Sequence, residues 1–173
     1  MEFLSVMVNP WYESLKAPDE FQQRVLFDLV KQYEKTRYGV DHEAREVQGI
    51  EDFRRKFPTI DYERLTPYFE GVKKGDYNVI LPEPPLTWVM TRGSTGRSKI
   101  LPATQTHLEQ IFSCGARAFV NYALRKNDFA ILTGKVLNLN FPSAVASMDS
   151  AGQTLTYGYS SGTYARLNPM LNQ

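Results

Sequence analysis

The sequence predicts an α/β fold in which N-terminal helices are followed by a layered sheet with a long buried helix. Three observations carry this. Phe21, Val25, Leu26, Leu29, Val30, Tyr33 and Tyr38 form one apolar stripe at helical spacing. A run of strand formers, Leu86 to Met90, breaks into a stretch rich in glycine and hydroxyl side chains. Thr106, followed three residues on by Glu109, reads as a capping box that opens a long helix, and strand-like runs follow it.

Taken in order, residues 1 to 17 offer apolar anchors around Pro10 without a clean period. Pro18, Asp19 and Glu20 suit the start of the first helix and Gly39 its stop, with Gln22, Arg24, Asp28, Lys31 and Glu34 on the solvated face. Ile50 to Phe57 reads as a short helical turn ended by Pro58. Asp61 begins an amphipathic helix in which Tyr62, Leu65, Tyr68, Phe69 and Val72 recur, and Pro67 is expected to bend or shorten it. Val79 to Leu81 reads as a brief extended piece, and Pro82 to Pro85 as a rigid connector into the strand that feeds the glycine stretch. Past that stretch, Ile100 to Pro102 forms a return strand, and Leu108, Ile111, Phe112, Gly115, Ala116, Phe119, Val120 and Ala123 keep the helical period. Asn127 and Asp128 turn the chain. Phe129 to Thr133 then reads as a buried strand, Val136 to Phe141 as a half-buried one, and Asp149 to Gly152 as the turn into a last strand, Thr154 to Tyr159.

Composition narrows the function. With 173 residues, 42% hydrophobic and 23% charged, the chain is ordinary globular material. A formal net charge of +1 argues against nucleic acid as a partner, since a phosphate backbone is held by a clear excess of Lys and Arg. The single cysteine, Cys114, makes no internal disulfide and fits a reducing, cytoplasmic setting. The first residues carry an early acid and no basic segment, a poor signal peptide, and no apolar run approaches the roughly 20 residues that cross a membrane.

The glycine stretch is Thr91-Arg92-Gly93-Ser94-Thr95-Gly96-Arg97-Ser98-Lys99. Its composition suits an anion: glycines let backbone N–H groups turn toward a phosphate, hydroxyls add donors, and lysine adds charge. Two residues separate the glycines and Lys99 stands three beyond the second, so the Walker A spacing fails, and so does the dinucleotide fingerprint. Position by position the stretch resembles the phosphate loop of adenylate-forming enzymes, commonly Thr-Ser-Gly-Thr-Thr-Gly-x-Pro-Lys. Arg92 stands where that motif has a small hydroxyl residue, and Ser98 where it has proline. Upstream, Phe57-Pro58-Thr59-Ile60-Asp61-Tyr62-Glu63-Arg64-Leu65-Thr66-Pro67-Tyr68-Phe69, then Gly75, Ile80-Leu81 and Pro84-Pro85, resembles the approach to this loop in plant auxin-responsive acyl-acid amido synthetases, with phenylacetate–coenzyme A ligases more distant. The resemblance is most recognisable from Glu51 to Thr106.

The resemblance implies part of the N-terminal domain of an adenylate-forming ligase, which activates a small carboxylic acid as its acyl-adenylate using ATP, with Mg²⁺ brought by the nucleotide. Thr91, Gly93, Ser94, Thr95, Gly96 and Lys99 would hold the phosphates. The acyl acceptor, coenzyme A or an amino acid, stays open, and no catalytic residue is assigned. Family members continue with a Tyr-Gly-x-Thr-Glu-type segment, a ribose-binding aspartate and a mobile C-terminal domain, and none of these follows Gln173. The expectation is therefore a single incomplete domain over 1–173, with a helical lead-in over about 1–75 and the loop and sheet over about 76–173. Such a chain is expected to be inactive alone and to expose apolar surface that self-association or a missing C-terminal segment would cover. The alternative is a non-catalytic nucleotide-binding or interaction module that retains only the loop.

Other motifs weigh less. Gly158-Tyr159-Ser160-Ser161-Gly162 satisfies the nucleophile-elbow pattern, but His42 and His107, the only histidines, both precede it, so a hydrolase triad in its usual order fails. Two distant histidines and one cysteine make no zinc site. His42 is expected on the surface, His107 at a helix start, and Trp88 and Tyr157 near a pocket.

Overall fold

A computed structural model of the chain describes residues 2–93 and 96–168. The fold is mixed α/β, as expected, and forms two compact units: residues up to Gln22 with Thr106–Leu139, and Gln23–Gln105 with residues from Asn140 on.

The first unit holds α1 (Glu2–Lys16) and the long helix, here α6 (Gln105–Lys126). Helix α1 runs through Pro10, although its apolar residues show no clean period. Its contacts with α6 explain why: the Tyr12 hydroxyl donates to Asn121 Oδ1 at 2.8 Å, and the Arg117 guanidinium lies 5.9 Å from the Trp11 ring centroid. Helix α6 starts one residue before Thr106, which therefore sits in the first turn instead of at the cap. Burial is confined to Leu108, Val120 and Ala123, whereas Phe119 is half exposed. The strand expected over Phe129 to Thr133 is instead a single 3₁₀ turn, Ala130–Leu132. Leu137 and Leu139, in the other expected strand, are 86% and 84% exposed and pair with nothing in the sheet.

The boundary between the units falls within α2 (Pro18–Tyr33). That helix ends before Gly39, which lies inside α3 (Arg37–Asp41). Thr36 makes the break: its hydroxyl donates to the Tyr33 carbonyl at 2.7 Å and accepts from the Gly39 N–H at 3.0 Å. A Cβ at Gly39 would stand 2.1 Å from the Tyr33 carbonyl oxygen, so the glycine serves close approach and not termination. Next, α4 (Ile50–Lys56) is tied down by Lys56, whose ammonium pairs with Glu43 and with Glu46. The hydrogen bond from Lys56 holds the Glu43 carboxyl below its usual range. His42 is half-buried, not on the surface: its ring stacks on Phe57 at 5.2 Å, and Nδ1 lies 2.9 Å from the Tyr38 carbonyl.

The helix that matters for the site is α5 (Tyr62–Lys73). The Asp61 carboxylate caps it, accepting from the Arg64 N–H at 3.0 Å. Pro67 removes one backbone donor without shortening the helix, because Phe69 and Val72 anchor it in the core. Val79 to Leu81, expected as an extended piece, forms no strand: Val79 closes the 3₁₀ turn Tyr77–Val79, and Val79 and Ile80 still reach the core.

Four strands follow: β1 (Pro85–Met90), β2 (Ile100–Thr104), β3 (Ala146–Ser150) and β4 (Gln153–Tyr159), in spatial order β2-β1-β4-β3. Strand β1 pairs antiparallel with β2 and parallel with β4, and β3 pairs antiparallel with β4. The β3–β4 turn places Ala151 and Gly152 at φ 50° and 76°, the left-handed pair that suits a two-residue hairpin. The Ala151 N–H donates to the Lys73 carbonyl at 2.6 Å, which fastens that turn to the end of α5. Between α5 and the sheet sit Phe69, Val72, Val79, Ile80 and Trp88. Trp88 is 1% exposed and Tyr157 packs against the same cluster, so both belong to the core and not to a pocket wall. The last helix, α7 (Ser160–Leu167), leaves directly from the end of β4.

Removal of the α5 cap tests this arrangement. Asp61→Ala is expected to destabilise the chain by about 1 kcal/mol, a fall of roughly 2–4 °C in the thermal midpoint. Asp61→Asn, which keeps the acceptor, should melt like the wild type, and equal melts for all three would refute the cap.

Candidate functional site

The site grows from the carboxyl ends of two adjacent parallel strands. Val89 lies opposite Gly158 and Met90 opposite Tyr159, and these pairs are where β1 and β4 run side by side. Just beyond, one strand gives way to the glycine loop and the other to α7. In open α/β sheets, a ligand finds exposed backbone donors in such a place, outside the carboxyl ends of the strands.

The loop is a nine-residue excursion between Met90 and Ile100, which are paired across the β1–β2 hairpin. Two hydrogen bonds close its neck. The Thr91 N–H donates to the Lys99 carbonyl at 2.9 Å, and the Lys99 N–H donates to Thr91 Oγ1 at 2.9 Å. Inside the neck the Gly96 N–H donates to the Gly93 carbonyl at 3.2 Å. Gly93 has φ +67°, and a Cβ there would lie 2.6 Å from the Gly96 carbonyl oxygen and 2.8 Å from the Ser98 nitrogen. Only glycine fits. A Cβ at Gly96, by contrast, would meet nothing among the described residues within 4 Å.

Tyr62 holds the loop from below. Its hydroxyl donates to the Ile100 carbonyl at 3.0 Å and accepts from the Ile100 N–H at 3.1 Å. The Lys99 ammonium lies 5.6 Å from the Tyr62 ring centroid, within range of a cation–π contact. The cap at Asp61 thus fixes the first turn of α5, that turn fixes Tyr62, and Tyr62 fixes the strand residue next to Lys99.

Loop and helix together border an open cleft of about 730 Å³. Its lining includes Thr66, Gly93, Gly96 and Ser98; the basic residues are Arg92, Arg97 and Lys99, and the acid is Glu63. Three cations to one anion is a marked local excess for a chain of net charge +1. Such a lining attracts an anion.

Of the residues expected to bind phosphate, Thr91, Gly93, Gly96 and Lys99 come together on this cleft, and Ser94 and Thr95 lie outside the described residues. Tyr62, Arg92 and Arg97 join them without having been predicted. Arg97 sits at the variable place of the recognised motif, and Arg92 where the motif has a small hydroxyl residue. Tyr62 falls on the core-facing stripe of its helix, and its second role depends on a contact 38 residues away. Among the described residues no three His, Cys, Asp or Glu side chains gather to hold a metal ion. His107 is exposed in α6, and Cys114 is free and exposed. No described helix is long and apolar enough to cross a membrane.

The Gly158-Tyr159-Ser160-Ser161-Gly162 segment has a steric explanation. Cβ atoms would stand 2.3 Å from the Ser143 carbonyl carbon at Gly158 and 1.9 Å from the Phe141 carbonyl oxygen at Gly162. The two glycines admit the backbone of residues 141–143 against the strand–helix junction.

The model of the GH3 family N-terminal domain matches residues 9–172. Indole-3-acetic acid-amido synthetase GH3.2 of Arabidopsis thaliana is 28% identical over 100 residues, which are 57% of this chain and 18% of that protein. GH3.17 of Arabidopsis thaliana, with the same activity in its name, is 29% identical over 97 residues, covering 53% and 16%. GH3.8 of Oryza sativa subsp. indica is 30% identical over 101 residues, again covering 53% and 16%. The chain thus spans about a fifth or less of the length of these relatives. No solved structure gives a significant match.

The two loop glycines should separate on substitution. Gly93→Ala forces a left-handed alanine, which costs about 1–2 kcal/mol, and clashes as well, so chemical denaturation should show a loss of about that size or more. Gly96→Ala should stay within about 0.5 kcal/mol of wild type. Equal losses at both positions would contradict the loop geometry.

Proposed function

The chain belongs to the GH3 family, and we propose that it is the N-terminal portion of an ATP-dependent ligase that activates a carboxylic acid as its acyl-adenylate. In this reading the Thr91–Lys99 loop binds the β- and γ-phosphates of ATP. The observation that carries it is the pinned loop at the carboxyl end of the β1–β4 pair, opening on a cleft with three cations. The family supports the reaction class, since the matched relatives are named as amido synthetases of an acid.

Adenylation is the attack of a carboxylate oxygen on the α-phosphorus, with the bond to the bridging oxygen breaking and pyrophosphate leaving. Charge gathers on the leaving group as that bond breaks. Donors fixed in advance around it lower the barrier, because no reorganisation is then required. Thr91 and the Lys99 backbone close the neck, and Gly93 makes the turn. Gly96, with open space where a side chain would be, lets the backbone approach a phosphate. The Lys99 ammonium offsets phosphate charge, and Ser94 and Thr95 add hydroxyl donors. Mg²⁺ arriving with the nucleotide would neutralise further charge. A reducing, cytoplasmic setting suits the free thiol of Cys114.

Calorimetric titration of ATP, with and without Mg²⁺, tests this reading. The wild-type chain should bind saturably, and Lys99→Ala should bind about tenfold or more weakly, the loss of one charge-assisted contact. Absence of saturable binding, or equal binding by the two proteins, would overturn it.

A further inference from the structure

Arg92 stands where the resembling motif carries a small hydroxyl residue, and the structure gives it a seat of its own. Its guanidinium carbon lies 3.9 Å from the centroid of the Phe141 ring. A guanidinium stacked on an aromatic face presents its N–H donors around its edge, in the plane, where they suit an oxyanion.

Phe141 is itself held from three sides. Its ring meets Tyr159 edge-on, with centroids 5.2 Å apart and planes at 61°. Its N–H donates to Ser161 Oγ at 3.3 Å, and the carbonyl of the next residue, Pro142, accepts from the Tyr159 N–H at 2.9 Å. Gly158 and Gly162 leave room for this backbone, as their Cβ atoms would collide with Ser143 and Phe141. The glycine–serine segment at the junction of β4 and α7 is therefore the base on which Phe141 stands, and Phe141 is the platform for Arg92. Since β1 and β4 run parallel at Met90 and Tyr159, the platform and the start of the loop are neighbours at the carboxyl ends of the two central strands.

We infer that Arg92 is a further phosphate-binding residue, a planar clamp pre-oriented by Phe141 that grips the terminal phosphates of a nucleoside triphosphate alongside Lys99. The inference rests on the proposed reading of the loop and adds a group that the family motif lacks. Arg92 lines the same cleft as Gly93, Gly96 and Lys99, which directs it to the phosphates that the loop holds. Stacking restricts the side chain before the ligand arrives, so less conformational freedom is lost on binding. Arginine meets two phosphate oxygens through parallel N–H donors in a fixed plane, a geometry that an ammonium does not impose.

The test titrates ATP, inorganic triphosphate and AMP into wild type, Arg92→Ala, Arg92→Lys, Phe141→Leu and Lys99→Ala, with thermal melts to show that each variant is folded. Arg92→Ala should weaken ATP and triphosphate by about tenfold or more and leave AMP, which lacks the terminal phosphates, unchanged. Arg92→Lys should restore only part of the affinity, and Phe141→Leu should weaken triphosphate although it changes no charge. If Lys99→Ala loses triphosphate binding while Arg92→Ala stays within about twofold of wild type, the loop reading stands and the role of Arg92 falls. An equal loss of AMP in Arg92→Ala would also overturn it. If wild type binds no triphosphate, both fall together.

Discussion

Two hydrogen bonds between Thr91 and Lys99 hold the rest of the site in place. A nine-residue loop without an internal core would sample many conformations, and any ligand would then meet the entropy of ordering it. Fastening its neck at both backbone and side chain confines that freedom to the residues between. The backbone bond continues the β1–β2 ladder by one step, so the loop inherits the rigidity of the sheet. Tyr62 adds a second fastening from α5, on the residue after Lys99. The lysine is therefore flanked by fixed backbone while its ammonium remains at the edge of the cleft.

Glycine serves three different purposes in this small region. At Gly93 it supplies a left-handed backbone and avoids a collision inside the loop. At Gly96 it leaves space that no described residue fills. At Gly158 and Gly162 it lets a distant segment pack against the junction of β4 and α7. The last pair imitates the spacing of a hydrolase elbow, and its cause here is steric. A short motif is thus compatible with more than one physical reason, and the neighbouring atoms decide which applies.

What could be read from the sequence follows the same logic. The loop, its feeding and return strands and the helices starting near Pro18, Ile50 and Asp61 are local in origin, set by period and turn chemistry. The misreadings arise where a distant contact decides. Helix α1 lacks a period, yet it forms with Tyr12 and Trp11 engaged by α6. Gly39 looked like a helix stop because its role is to admit the Tyr33 carbonyl. Phe129 to Thr133 and Val136 to Phe141 are apolar enough for strands, whereas the antiparallel partner of β4 is the polar Ala146–Ser150, placed by its turn and not by hydrophobicity. In the site, Thr91, Gly93, Gly96 and Lys99 came from motif spacing. Tyr62 and the Arg92–Phe141 pair needed coordinates, since their partners lie 38 and 49 residues away.

The proposed ligand chemistry is a polyphosphate gripped by backbone amides and cations. The most direct measurement is a backbone ¹H–¹⁵N correlation spectrum recorded through a titration with ATP. The account predicts saturable shifts concentrated on the amides from Thr91 to Lys99 and on Ile100, with the β3–β4 turn unmoved. Shifts centred elsewhere, or none at saturating nucleotide, would contradict it.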